Sequence, residues 1–251
     1  MADQSIIALD DVTKVFRRQN SKGDFLAVDG LSFAIERGEI VAVLGKTGCG
    51  KSTVFNLIAG LIEPSEGTVR VRGRDPFRKF DALRGEIAVV FQNDRLLPWR
   101  SAIANVELGL EMLDVPVKER RETGLHWLGT LGLRGHENDY PHALSGGMRQ
   151  RVSIARAFAT DAAILLCDEP FSALDEITGR TLRAEFVRLV RENGKTAVFI
   201  THSINEALEI GDRIVVLKRP ANIAIDLPLT TTTPAVEKEA IRHQIQTALA
   251  A

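Results

Sequence analysis

Ile40-Val41-Ala42-Val43-Leu44-Gly45-Lys46-Thr47-Gly48-Cys49-Gly50-Lys51-Ser52 decides the fold of this chain. The unbroken apolar run from Ile40 to Leu44 reads as a central strand covered on both faces. The residues from Gly45 to Ser52 fit G-x-x-x-x-G-K-[ST] without a mismatch, and a helix is expected to start near Lys51 and stop at Gly60. Strand, glycine-rich turn and helix in that order make a phosphate cradle. The glycines let successive backbone N–H groups curl around phosphate oxygens, and the helix N-terminus adds partial positive charge. Lys51 is then expected to bridge β- and γ-phosphates, and Ser52 to offer its hydroxyl to Mg²⁺. Gly45, Lys46, Thr47, Gly48, Cys49, Gly50, Lys51, Ser52 and Thr53 are thus the candidate nucleotide-binding residues. Cys49, between glycines and beside Lys51, is expected to be a reactive thiol, whereas Cys167 in an apolar strand is expected to react slowly.

Outward from this stretch the hydrophobic periodicity changes twice. Upstream, Leu31, Phe33 and Ile35 alternate with Ser32, Ala34 and Glu36, as in a half-buried antiparallel strand, and Arg37-Gly38-Glu39 makes the turn. Downstream, Pro64-Ser65-Glu66-Gly67 is a turn, Thr68 to Arg72 alternates again, and Ile87 to Phe91 is a buried strand ending at Gln92. From about Leu96 to Ala159 the spacing becomes helical. Ile103, Val106, Leu110 and Leu113 form one stripe, Leu125, Leu128 and Leu131 a second, and Met148, Val152, Ala155 and Ala159 a third. Strands then return at Ala163–Cys167, Thr196–Thr201 and Arg213–Leu217. Beyond Arg219 the composition predicts turns and a Thr run, then a short helix from Pro234 capped by Thr233. This is a parallel α/β sheet interrupted by a helical insert. The expected division is 1–93 for an N-terminal β subdomain and the first part of the core, and 94–159 for the helical part. Residues 160–219 complete the core and 220–251 form a short tail.

Two further strings carry chemistry. Asp168 and Glu169 end the apolar strand Ala163-Ile164-Leu165-Leu166-Cys167, so both carboxylates emerge at a sheet edge. One can organise a magnesium shell while its neighbour takes a proton from an attacking water; in isolation such a pair is also a common solvated strand end. In Leu144-Ser145-Gly146-Gly147-Met148-Arg149-Gln150, Ser145 is a good N-cap and two glycines leave the first helical amides bare. On physics alone that string reads equally as an anion site or as an ordinary capped helix.

A chain of 251 residues, 45% hydrophobic, can bury one large core with a subdomain. Its 32 Lys and Arg nearly balance 33 Asp and Glu, which gives no bulk attraction to nucleic acid, and no nucleic-acid partner is expected. The two cysteines have no metal-ligand spacing and suit a reduced compartment. Met1-Ala2-Asp3-Gln4-Ser5 lacks the basic start and apolar core of a signal peptide. The apolar runs are far below the ~20 residues needed to span a bilayer, so any membrane part is expected on another chain.

The phosphate loop, Gln92, Leu144-Ser145-Gly146-Gly147-Met148-Arg149-Gln150, Asp168-Glu169, Ser172-Ala173-Leu174-Asp175 and His202 occur in the order of the motifs of ABC-transporter ATP-binding subunits. The chain resembles that family over roughly residues 5–220. The resemblance implies a P-loop NTPase (RecA-like) core with an N-terminal antiparallel β subdomain and a helical insert. It implies a head-to-tail homodimer in which two ATP molecules lie between the phosphate loop of one chain and Ser145, Gly146 and Gly147 of the other. By the same resemblance Glu169 is the general base, with Mg²⁺ held by Ser52, Gln92 and Asp168. Gln92 contacts that metal or the lytic water and senses the membrane partner, His202 reaches the γ-phosphate, and Asp175 belongs to a dimer contact. Read alone, His202 at a strand end is more often structural. Phe16 resembles the aromatic that stacks on adenine, where Tyr is usual; the plain alternative is a core Phe. Leu96-Leu97-Pro98-Trp99 resembles the nitrate, sulfonate and taurine group of bacterial importers and falls in the segment that docks on a permease, although Trp99 could equally anchor the helical insert from within. The implied function is ATP hydrolysis at the cytoplasmic membrane face, coupled to uptake of a small anionic solute through a separate permease and an extracytoplasmic binding protein. Soluble ABC ATPases of DNA repair or translation are the alternative, but they resemble tandem cassettes or chains with long coiled-coil insertions. A P-loop kinase leaves Ser145-Gly146-Gly147 and His202 unexplained.

Overall fold

The computed structural model describes residues 5–17, 23–229 and 235–250. The chain forms two compact units, Met1–Leu83 with Asn193–Ala251, and Arg84–Glu192. In the first unit, β1 (Ser5–Phe16), β2 (Phe25–Glu36) and β4 (Glu66–Val71) make an antiparallel sheet in the order β2-β1-β4. Their alternation puts Ile7, Leu9, Leu31, Ile35, Val69 and Val71 in the core and polar neighbours outside.

The second sheet of this unit is built around β3 (Ile40–Gly45), whose six residues are all buried. It pairs in parallel with β7 (Thr196–Thr201) on one side and β8 (Arg213–Lys218) on the other. Burial on both faces is why this strand is continuously apolar rather than alternating. Helix α1 (Lys51–Ile58) follows β3, and α6 (Ile204–Ile210) follows β7.

The segment after Arg219 differs from the turn-rich tail expected of it. Asn222–Pro228 is an antiparallel edge strand, β9, on β8, and Ala235–Ala250 is a full helix, α7. Prolines at 220 and 228 masked the alternation of Ile223, Ile225 and Leu227, yet an edge strand tolerates proline at its end because no ladder N–H is demanded there. Arg213 reinforces the pair by donating from Nε and Nη2 to both carboxylate oxygens of Asp226, each at 2.6 Å. Ile241 and Ile245 of α7 join a buried cluster with Ala42, Leu44, Ala207, Ile214 and Val216, so the last helix is part of the core beneath β3 and β8. Thr233 and Pro234, the expected cap, and Met1-Ala2-Asp3-Gln4 lie outside the described residues.

The other unit holds the parallel pair β5 (Ile87–Val90) and β6 (Ile164–Asp168) with α2 (Ala102–Met112), α3 (Val117–Thr130), α4 (Gly146–Ala159) and α5 (Glu176–Glu192). An aromatic chain fills its interior. Trp127 lies 5.0 Å from Phe158, and Phe158 and Phe171 each lie 5.9 Å from Phe186 in edge-to-face geometry. The stripe on α3 departs from the sequence reading, because Gly124, Trp127 and Leu128 face inward while Leu125 is exposed. No helix of the described residues is long and apolar enough to cross a membrane.

Both cysteines are buried. Cys49 Sγ fills the space where a side chain on Gly45 would stand, which corrects the expectation of a reactive thiol, since access and not only charge governs reactivity. Burial, and then the charge of Asp168, push the Cys167 thiol well above its usual range. A thiol reagent such as Ellman's should therefore label neither cysteine of the native protein within minutes and both after unfolding. Ile245→Ala deletes a fully buried side chain and should lower stability by about 2–5 kcal/mol, seen as a lower urea midpoint with an unchanged slope.

Candidate nucleotide site

In the first unit the phosphate loop leaves the sheet at Gly45 and re-enters regular structure at Lys51. A Cβ on Gly45 would stand 2.4 Å from Cys49 Sγ and 2.9 Å from the Leu217 carbonyl oxygen. On Gly50, which has φ 112°, it would stand 2.5 Å from the Ala27 carbonyl oxygen. Only glycine fits either place. The loop closes through a Cys49 N–H bond to the Lys46 carbonyl, and α1 begins at Gly50 with no side-chain cap. Its first amides are left to a ligand, as a phosphate site requires.

Lys51 is 7% exposed and its ammonium donates to the Gly45 carbonyl at 2.6 Å and the Lys46 carbonyl at 3.2 Å. A buried cation held on the loop's own carbonyls is a charge placed in advance for an anion in the same cradle. Ser52 is exposed at the helix start, and the Lys46 side chain faces solvent. Phe16, at the end of β1, is 38% exposed with Lys14 Nζ 5.2 Å from its ring centre, which removes the reading of Phe16 as a core residue.

His202 joins this loop through strand register. Leu44 of β3 pairs with Thr201 of β7, so Gly45 and His202 leave adjacent parallel strands at the same level. The imidazole is exposed there. A parallel register therefore puts together two groups that stand 157 positions apart in the sequence (202 − 45).

The second unit uses the same device. Val90 of β5 pairs with Cys167 of β6, and two residues beyond each, Gln92 Nε2 donates to Glu169 Oε2 at 3.3 Å. Glu169 has φ 46°, a left-handed conformation that costs a non-glycine residue free energy. The turn after it holds it there, with the Ser172 N–H and hydroxyl both donating to the Glu169 carbonyl, at 3.2 and 3.0 Å. Phe171 anchors that turn in the aromatic core. Asp175 accepts the Thr178 N–H at 3.0 Å as the N-cap of α5, and this bond holds its carboxyl below the usual range.

Helix α4 is capped by Ser145, whose hydroxyl accepts the Met148 N–H at 3.3 Å; Gly146 beside it is exposed and Gly147 half-buried. Arg149, one turn in, donates to the Leu144 carbonyl at 2.8 Å and pairs with Asp94 at 3.0 Å. Farther along the same helix Arg156 donates to the Asp94 and Arg95 carbonyls. The segment after Gln92 is thus tied to α4. The sequence reading missed Asp94, Arg149 and Arg156 as a group, because nothing in spacing pairs an arginine with a carboxylate 55 residues away.

Asn105 of α2, wholly buried, completes the support. It accepts the Leu97 N–H at 2.7 Å and donates to the Leu97, Arg100 and Ser101 carbonyls. The loop so held presents Trp99 at 71% exposure while Leu96 stays buried. Trp99 does not anchor the insert from within.

Among the described residues no cluster of three His, Cys, Asp or Glu side chains could hold a metal.

The family model described as ABC transporter matches residues 28–172. The chain is 44% identical over 191 residues to the taurine import ATP-binding protein TauB of Yersinia pestis, covering 76% of this chain and 73% of that one. It is 41% identical over 213 residues to the nitrate import ATP-binding protein NrtC of Synechococcus elongatus, covering 84% of this chain but 32% of that longer protein. A solved dimeric ATP-binding cassette in a post-hydrolysis state, bound to ADP and Pi, superposes with a TM-score of 0.78 at 35% identity, covering 89% of this chain and 99% of that one. The chain belongs to the ABC transporter family, as one of its ATP-binding, ATP-hydrolysing subunits.

Proposed function

We propose that this chain is the ATP-hydrolysing subunit of a bacterial importer for a small anionic solute of the nitrate, sulfonate or taurine type. The buried Lys51 ammonium, preset on the Gly45 and Lys46 carbonyls, carries the nucleotide reading. The residues from Gly45 to Thr53 would hold the phosphates and Phe16 the adenine. Ser52, Gln92 and Asp168 would hold Mg²⁺, which when bound offsets phosphate charge. Glu169, held by its turn and touching Gln92, would take the proton from the attacking water, and His202 would donate toward the γ-phosphate. The carboxylate's strained backbone supports that role, because such strain collects at functional sites.

The working unit in this reading is a head-to-tail homodimer, with Ser145, Gly146 and Gly147 of one copy capping the nucleotide of the other. The similarity to a dimeric cassette supports it. The resemblance to TauB and NrtC supports the importer and solute class, a permease partner, an extracytoplasmic binding protein and a place on the cytoplasmic membrane face. Residues 94–159 would be the helical subdomain that meets the permease, between core parts 1–93 and 160–219.

Glu169→Gln keeps the shape of the side chain and loses the base. Hydrolysis should fall about 10²–10⁴-fold while ATP binding persists, measured as phosphate release against nucleotide affinity; a rate near wild type would remove Glu169 from the reaction. Trp99 supplies the test of the importer reading. An exposed Trp is costly to leave in water, since burying a large aromatic side chain is worth ~1.5–3 kcal/mol, so it calls for a partner. Trp99→Asp should leave the melting temperature and basal ATPase of the isolated subunit nearly unchanged and abolish co-purification with the permease. A large drop in melting temperature would defeat docking at this patch.

A further inference from the structure

Thr201 and Glu206 are chemical groups that the site as described does not use. Both are buried, at 1% and 8% exposure, beside an exposed histidine. The Thr201 hydroxyl donates to Glu206 Oε2 at 2.5 Å and accepts the Ser203 N–H at 2.9 Å. Ser203 in turn caps α6, its hydroxyl accepting the Glu206 N–H at 3.3 Å. An S-x-x-E sequence normally closes a reciprocal box in which the glutamate bonds the N-cap amide. Here the threonine hydroxyl stands between the carboxylate and that amide.

The consequence falls on His202. The Ser203 N–H belongs to the peptide that joins His202 to Ser203, so the Thr201 hydroxyl fixes that peptide in a side-chain turn centred on the histidine. On the other side Thr201 is locked by its pairing with Leu44, one residue before the phosphate loop. A hydroxyl can rotate; with one acceptor and one donor assigned it cannot. We propose that Thr201 and Glu206 are positioning residues for His202, a buried hydroxyl–carboxylate pair that fixes the direction in which the imidazole leaves β7. This rests on the reading of His202 as the group that reaches the γ-phosphate.

Thr201→Val keeps shape and removes the hydroxyl. It should lower kcat for ATP hydrolysis about tenfold or more while KM for ATP stays within about twofold and the melting temperature holds, because a misaimed catalytic group costs rate and not nucleotide affinity. Thr201→Ser, which retains the hydroxyl, should recover most of the lost rate. Should the valine variant melt early, Glu206→Met removes the other end of the same bond and is read in the same way. His202→Ala, assayed alongside, separates the two ideas. If it is inactive while Thr201→Val and Glu206→Met turn over ATP at the wild-type rate, the positioning proposal is overturned and the role of His202 stands. If His202→Ala is fully active, the role of His202 is what fails, and the proposal falls with it. A valine variant slowed to a degree that serine does not relieve also overturns it, since the hydroxyl is then not the working group.

Discussion

Parallel pairing of β3 with its neighbours is the constraint on which the rest of the first unit depends. With Ile40 opposite Ala197 and Leu44 opposite Thr201, the pairing of these two strands ends at one level, and their successors, Gly45 and His202, stand side by side beyond it. A slip of one residue would turn every side chain of β3 to the opposite face. Because all six residues of the strand are buried, covered above and below, the register is held by the apolar cluster that reaches from Ala42 and Leu44 to Ile241 and Ile245. The helix α7 that begins at Ala235 thereby stabilises the strand that delivers the phosphate loop.

The same logic recurs in the second unit with different cargo. Val90 opposite Cys167 sets the level from which Gln92 and Glu169 meet. Here the backbone stores strain at Glu169, and the Ser172 bonds and the aromatic contact between Phe171 and Phe186 hold it. Polar side chains, buried and half-buried, carry the next level of control. Asn105 and Arg156 bind carbonyl groups of the segment from Asp94 to Ser101, and Arg149 ties Asp94 to the start of α4. Each replaces backbone bonds that an irregular loop cannot make for itself. A loop so held can present Trp99 outward without collapsing onto the helices beneath it.

Lys51 shows how charge is managed before any ligand arrives. Its ammonium is nearly fully buried, which would be costly without partners, and two loop carbonyls supply them. Those carbonyls are neutral, so an incoming phosphate meets a cation already desolvated and aimed, in the manner of a preorganised electrostatic site. Gly45 and Gly50 make this possible by letting Cys49 Sγ and the Ala27 carbonyl approach the loop more closely than any Cβ allows. The thiol of Cys49 is therefore a packing group and not a free nucleophile.

Much of this could be read from residue order alone. An unbroken apolar run, a glycine-rich turn and a lysine at fixed offsets specify strand, loop and helix because each is a local property of the backbone. For the same reason the starts of α1 and α4 were legible at Lys51 and Ser145. Motif order, through family resemblance, added the candidate site residues. What the sequence could not settle are matters of burial and pairing at long range: that β9 exists despite its prolines, that Leu125 faces out and Trp127 in, that Cys49 is shielded, and that Trp99 is exposed. Thr201, Ser203 and Glu206 are near neighbours, yet only the fold shows that the Thr201 hydroxyl joins the Glu206 carboxylate to the Ser203 N–H. Periodicity reports which face of an element is apolar, whereas a neighbour's volume and strand register decide what that face meets. Both are set only when distant segments pack together.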